Sequence, residues 1–386
     1  MTLISLVIPT HNRQAYAAVS ARKIVEVFPS AQVVVSDTSA DDRLRAMLPP
    51  SVEYVRPGRP MDVVSHFEFA LGHASGRFIM FLGDDDCIGP GLERIAGWAD
   101  ANGVDAVLSY GTSFIANYFW PGVRSRFYGG GYASRLFVHP FTGEARRIDP
   151  IAALSETLRD FGRGLGEMPR VYHGLVSRAL IDKVRERHGS LFGGVTPDMY
   201  SATLLSEQAE NAWRVDYPFC LPGGSPSSTA GTGAARSDMT SLAEHPHTAA
   251  FSGLKWDPLI PDFYAPYIVW AYSMKKAVDR LGRPDLQPNL PRIYALSLLR
   301  NREQRGRVLR SFKAAGVGWL AIGREMGREL AFQARRYGAR LLSPGAGGHA
   351  ERFGDFPDIA AAYDRLERHI VDRGIALRLP SLGARD

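Results

Sequence analysis

Three consecutive carboxylates, Asp84-Asp85-Asp86, are the residues best suited to chemistry in this chain. They follow Phe78-Ile79-Met80-Phe81-Leu82, five apolar residues that read as a strand buried on both faces. Adjacent carboxylates repel one another, and desolvating them is costly unless a cation is present. The carboxyl edge of an open α/β sheet is also where ligands bind. A hard divalent ion, Mn²⁺ or Mg²⁺, bridging carboxylate oxygens to a substrate phosphate meets both conditions. A solvated acidic turn is the other reading of the same residues.

Further candidates lie at the ends of other apolar runs. Pro9, Thr10, His11 and Asn12 end the run that starts at Leu3, where backbone groups would face a ligand. A strand-to-helix turn capped by Asn is the plainer reading. Asp37 follows Val33-Val34-Val35 and also suits a turn. Asp198 follows Pro197, which opens a helix. A first-turn carboxylate is kept ionised by the helix dipole, the form a general base needs; an ordinary N-terminal carboxylate has the same sequence. The run from Gly223 to Gly231 contains Ser227 and Ser228 and offers amides and hydroxyls to a phosphate, or serves as a linker. His245-Pro246-His247 reads as a surface turn rather than a metal site.

The elements that must hold these residues alternate. Apolar runs at 3–9, 31–36, 52–55, 78–82 and 104–109 are separated by helical patterns at 15–28, 61–73 and from Pro90 to about Ala101. This spacing implies βαβ units and a mostly parallel sheet. Residues 111–150 break the pattern, with Gly129-Gly130-Gly131 and many aromatics, among them Phe114, Tyr118, Phe119, Trp120, Phe127, Tyr128 and Tyr132. They read as an irregular insertion or hairpin whose rings fill a small core or stack on a ligand. Val171–Val176 reads as a returning strand. From Asp262 onward the chain is helical and basic, with breaks near Pro284 and Pro344. Eleven Arg or Lys face three Glu between Arg300 and Arg340, which suits an anionic membrane surface, a seam in a homo-oligomer, or a solvated face.

The 386 residues carry 45% hydrophobic and 22% charged side chains, as in ordinary globular proteins, and a net charge of +6 that does not call for nucleic acid. No run approaches a transmembrane length, and the first strand lacks the charged start of a signal peptide. Cys87 and Cys220 give no disulfide framework, so a cytoplasmic location is expected.

Taken in order, Ser5-Leu6-Val7-Ile8-Pro9-Thr10-His11-Asn12-Arg13, Ser36-Asp37-Thr38-Ser39 and Gly76 to Asp86 with Pro90-Gly91 resemble the family 2 glycosyltransferases of the GT-A fold. A weaker continuation passes through Tyr172-His173-Gly174 and Thr196 to Tyr200. Three positions depart from the family's usual pattern. Gly83 stands where the metal loop often begins with Asp, Ser36 where the second strand often ends in Asp, and His66 or Glu68 where an Asn is frequent.

The resemblance implies a GT-A domain over 1–250, with a nucleotide-binding half (1–110) and an acceptor half (111–250), and a helical region over 251–386. It implies inverting, metal-dependent transfer of a hexosyl or N-acetylhexosaminyl group from a nucleotide diphosphate, UDP-sugar favoured, to a glycan or lipid-linked hydroxyl in polysaccharide biosynthesis. Asp85 would be the main ligand of Mn²⁺ or Mg²⁺, helped by Asp84 and Asp86. Asp37 would accept the imide N–H of the base. Pro9, Thr10, His11, Asn12, Asp84, Ser227 and Ser228 would line the donor, and Asp198 would be the base. The expected location is cytoplasmic or peripheral at the inner membrane face. A degenerate sugar-nucleotide-binding or scaffold protein and a nucleotidyltransferase are the alternatives. The latter wants a Gly-rich basic loop where this chain has Pro-Thr-His-Asn-Arg. A dehydrogenase is disfavoured because no G-x-G-x-x-G follows the first strand.

Overall fold

The computed structural model describes residues 2–125, 128–228, 241–341 and 349–381. Phe127, Thr229–Gly231 and the break expected near Pro344 lie outside the described residues.

Apolar runs become strands where both faces are covered. β1 (Ile4–Thr10), β2 (Gln32–Asp37), β3 (Glu53–Val55) and β4 (Phe78–Phe81) run parallel, with α1 (Gln14–Val27), α2 (Leu44–Met47) and α3 (Val63–Leu71) between them. Alternation along β1 sends Ile4, Leu6 and Ile8 to one core and Val7 to another, and β4 does the same with Phe78 and Met80 against Ile79 and Phe81. Next come β5 (Cys87–Ile88), α4 (Leu92–Ala101) and β6 (Ala106–Leu108). The main sheet has eight strands in the order β3-β2-β1-β4-β10-β6-β11-β9. Its later members are β9 (Ala145–Ile148), β10 (Gly174–Ser177) and β11 (Ala212–Val215). β10 enters antiparallel between β4 and β6, and β11 runs parallel to β6.

The mostly parallel α/β sheet expected from the sequence is therefore present. The returning strand begins at Gly174 rather than Val171. Residues 111–150 contain a hairpin, β7 (Ala116–Phe119) with β8 (Arg135–Val138), that belongs to a second, four-stranded sheet. Tyr118 is fully buried there, and Phe119, Tyr132 and Phe137 pack ring against ring.

Local signals set the helix ends. Asp149 caps α5 (Pro150–Arg159) through Ala152 N–H, and Ser177 caps α6 (Arg178–His188) through Leu180 N–H. Pro197 opens α7 (Pro197–Gln208). The short strands β12 (Cys220–Leu221) and β13 (Gly223–Gly224) pair with β5 and β7 and bring the following loop over the end of β4.

The expected C-terminal helices are present. α8 (Pro246–Ala249) precedes α9 (Pro266–Leu281), which ends in left-handed Gly282 just before Pro284. α10 (Leu290–Arg300), α11 (Arg305–Ala315) and α12 (Trp319–Leu341) follow, and this group shares a core with α5 and α7. The region is not helical throughout. β14 (Glu351–Phe353) extends the second sheet beside β8, and α13 (Ile359–Asp372) packs on α1, where Lys23 bonds Asp364 at 2.6 Å. No helix among the described residues is long and apolar enough to cross a membrane.

Candidate active site

Parallel pairing puts Thr10 beside Asp37, and β4 beside β1, so the chain exits all three strands at one edge. Thr10 Oγ1 donates to Asp84 Oδ2 at 2.8 Å. Asn12, in the left-handed region at φ 58°, donates its N–H to Ser39 Oγ at 2.8 Å, and His11 Nδ1 lies 3.1 Å from the carbonyl of Thr38. His11 and Asn12 are exposed, Pro9 is half-buried and Thr10 is buried.

The three carboxylates are all buried, but they are satisfied differently. Arg13 Nε donates to Asp84 Oδ2 at 3.0 Å, its Nη2 faces Asp84 Oδ1, and its Nη1 is 3.6 Å from Asp85. Burial pushes Asp84 up to about 7, against the opposing pull of Arg13. Asp85 is also raised, by burial and then by Asp86; its Oδ2 accepts the Ser225 N–H at 2.8 Å. Asp86 is the reverse case. Burial opposes its charge, but His173 and the N–H groups of Gly223 and Gly83 hold it below its ordinary value. Four donors converge on it: His173 Nε2 at 2.5 Å, Gly83 N–H at 2.6 Å, Gly223 N–H at 2.7 Å and Tyr172 Oη at 3.1 Å.

Gly83 is closely packed. A Cβ there would lie 2.6 Å from Tyr172 Oη and 2.7 Å from Asp86, so an Asp would require those side chains to shift. At Gly223 a Cβ would sit 1.8 Å from the Asp85 carbonyl. Trp120 Nε1 also donates to that carbonyl, at 2.9 Å.

His173 extends the site. It holds φ 60°, donates its N–H to Phe81 O, and places Nδ1 2.7 Å from Tyr110 Oη. Such a backbone in a non-glycine residue costs energy and persists where surrounding contacts over-determine it. Asp198, half-buried in the first turn of α7, is near enough to feel His173 and Arg170. Burial raises its carboxyl, opposed by the Met199 and Asp198 N–H groups and then by those two charges.

Asp37 has no exposed surface. It accepts hydrogen bonds from Gln14 Nε2, Tyr54 Oη and Ser39 N–H at 3.1, 2.9 and 2.7 Å. Ser228 is buried and its hydroxyl bonds the Ser225 carbonyl, while Ser227 is exposed. Of that run it is Gly223 and Ser225 that touch the acidic cluster, through their N–H groups, and Ser225 Oγ also accepts from Arg13 at 3.2 Å. His247 is tied to the Val195 carbonyl and His245 stacks on Tyr264.

The sequence alone singles out none of Arg13, Ser225, Tyr110 and His173. Arg13 and His173 stand inside the family-like motifs and Ser225 inside the Gly223–Gly231 run, and those positions are the available signal. Among the described residues no three His, Cys, Asp or Glu side chains converge as a metal cage.

Residues 5–156 match the family model "Glycosyl transferase family 2". The GT-A architecture implied by that resemblance agrees with the sheet observed. No curated protein matches the chain. Among solved structures, S. aureus TarS is 18% identical with a TM-score of 0.38, over 58% of this chain and 37% of that one. The chain thus spans well under two thirds of that protein. TarS 1–349 in complex with UDP-GlcNAc is 14% identical with a TM-score of 0.46, over 80% and 79% of the two chains. The mannosyltransferase PcManGT from Pyrobaculum calidifontis, in complex with GDP-Man and Mn²⁺, is 14% identical with a TM-score of 0.37, over 97% and 86%.

Proposed function

We propose that the chain transfers a sugar from a nucleotide diphosphate to an acceptor hydroxyl, with inversion at the anomeric carbon. One observation carries the reading: within the stretch that matches the family 2 model, three carboxylates are buried side by side at the sheet's carboxyl edge, and two of them, Asp84 and Asp85, share the guanidinium of Arg13.

The donor set fits Mn²⁺ or Mg²⁺. Such ions are held by one or two carboxylates, with phosphate oxygens and water completing the shell. Asp85 would be the anchor, because among the described residues no hydrogen-bond donor occupies its Oδ1, and Asp84 would join it once Arg13 turns away. Asp86 is committed to its four donors and supports the loop. The ion would act as a Lewis acid on the leaving diphosphate.

The chain's own groups do the rest. Arg13, released from Asp84, would reach the diphosphate, where charge builds up in the transition state. Amides of the loop after β1, with Ser227 and Ser228, would line the donor. Asp198 would take the acceptor proton; with one base and no carboxylate nucleophile, single displacement inverts the centre. Asp37 would bind the imide N–H of uracil, which requires Tyr54 or Gln14 to give up its bond. The donor is thus a UDP-sugar of hexosyl or N-acetylhexosaminyl type, and the acceptor a glycan or glycolipid.

A thermal-shift titration tests this, because a ligand that binds the native state raises the melting temperature by mass action. UDP should stabilise the parent protein more with Mn²⁺ than without, and more than ADP does. Asp85→Ala should abolish the Mn²⁺-dependent part. An undiminished Mn²⁺-dependent shift in that variant would remove Asp85 as anchor.

A further inference from the structure

Helix α12 is held by one face only. Ile322, Met326 and Glu329 turn toward the helical core. Both acidic residues of the helix also point inward: Glu329 to Arg163, Arg292 and Arg300, and Glu325 to Arg292 and Arg328. At about 100° per residue, the opposite sector is formed by Leu320, Gly323, Gly327, Leu330, Ala331 and Ala334, with no charge among them. All six are exposed. Leu320 is 90% exposed and Leu330 57%, with Trp319 at 59% and Tyr337 at 47% on the margin of the sector near its two ends. These four are a majority of the seven large hydrophobic side chains exposed among the described residues. Singly exposed apolar residues need no explanation, but a continuous face of them on one helix does.

One flank of that face carries Arg324, Arg328 and Arg335, all exposed. An apolar sector bordered by arginines, with aromatics near its ends, has the composition of a helix lying in a bilayer interface. We propose that α12 docks in the headgroup region of an anionic membrane, its Leu320–Leu330 face toward the acyl chains and Arg324 and Arg335 on lipid phosphates. A second copy of the same face would bury the leucines but bring no carboxylate to the arginines, because the outer face of α12 has none. An anionic bilayer satisfies both.

The arginine flank of α12 reaches a cleft of about 480 Å³ through Arg328. Thr112 and Ser113 also line it, and Gly111, in the same lining, is one residue from Tyr110, which bonds His173. Docking would therefore hold this cleft near the lipid surface, which suits an acceptor hydroxyl carried on a lipid. That consequence rests on the glycosyltransferase reading; the membrane contact does not.

The test is co-sedimentation of the full chain with phosphatidylcholine vesicles, with and without phosphatidylglycerol. Binding should require the anionic lipid and weaken as salt rises. Arg324→Gln/Arg335→Gln should lower the partition coefficient by roughly fivefold per arginine. Leu320→Asp/Leu330→Asp should reduce it at least as much, with an unchanged circular dichroism melt because both sites are exposed. Absence of binding to anionic vesicles at low salt would overturn the proposal. So would binding that both variants leave intact, or a dimer in sedimentation velocity that Leu320→Asp/Leu330→Asp dissolves while vesicles are ignored. Loss of transferase activity with vesicle binding intact would count against the functional reading alone.

Discussion

Two buried charge clusters in this molecule are built in opposite ways. At the end of β4, Asp84, Asp85 and Asp86 share Arg13 and His173. On α12 the ratio is reversed: Arg163, Arg292 and Arg300 converge on Glu329, and Gln333 adds a bond at 2.6 Å. Burial opposes the charge on Glu329, but Gln333 and the arginines hold its carboxyl below the ordinary value. Asp84 goes the other way, up to about 7. A charge matched by its own chain is a structural clasp. A cluster short of positive charge is strained until a cationic ligand arrives, which is how functional sites tend to differ from structural ion pairs.

The difference can be broken at the clasp first. Glu329→Ala leaves three guanidinium groups without their shared partner, Arg292 being almost wholly buried. Removing one side of such a pair should cost about 3–5 kcal/mol in urea unfolding. A loss below ~1 kcal/mol would show that the network is not a clasp.

At the site the effect should appear in rate rather than stability. Asp198→Asn should keep UDP binding yet lower turnover by ~10²-fold or more. Product NMR should show an inverted anomeric centre, and retention would end the single-displacement mechanism.

His66 offers an intermediate case, buried beside Ser36 with no carboxylate partner among its bonds. Burial lowers it to about 4. The folded state then binds fewer protons than the unfolded chain between about pH 4 and 6.5, so stability rises with pH through that window and is lost on acidification. His66→Asn should flatten this slope, a difference of about 2 kcal/mol at pH 5. Parallel stability curves for parent and variant would contradict the assignment.

Asp84 has the opposite sign and a smaller expected effect. Its raised value means that the folded state holds the extra proton, so stability falls as pH rises from the ordinary carboxyl range toward about 7. Asp84→Asn should remove that decline and stabilise the protein at pH 8 by about 1 kcal/mol, since Arg13 loses a partner at the same time. Destabilisation equal to that of Glu329→Ala would erase the distinction between the clusters.

Much of the frame was legible in the residues. Continuous apolar runs gave β1, β2 and β4, because a strand covered on both faces needs no polar positions. Pro197 marked the start of α7, and the position of Asp84–Asp86 after β4 followed from β4 ending there. The family 2 motifs located the same edge, and the match over 5–156 agrees with them. The start of β10, the insertion's hairpin and the return of β14 to the second sheet were less legible, since short strands carry little periodicity and their partners are far away in sequence.

By itself, then, the sequence determined the long apolar strands β1, β2 and β4 and which carboxylates would stand at the sheet's edge, because hydrophobic period and turn chemistry act over neighbouring residues. Only the tertiary structure decided how those carboxylates differ. Arg13 meets Asp84 across 71 positions, His173 meets Asp86 across 87 and Ser225 meets Asp85 across 140. Gly83 was read as a departure from a family pattern, and the space it leaves is filled by Tyr172 from a different strand connection. Charge and burial depend on what packs nearby in three dimensions, and no local spacing records that.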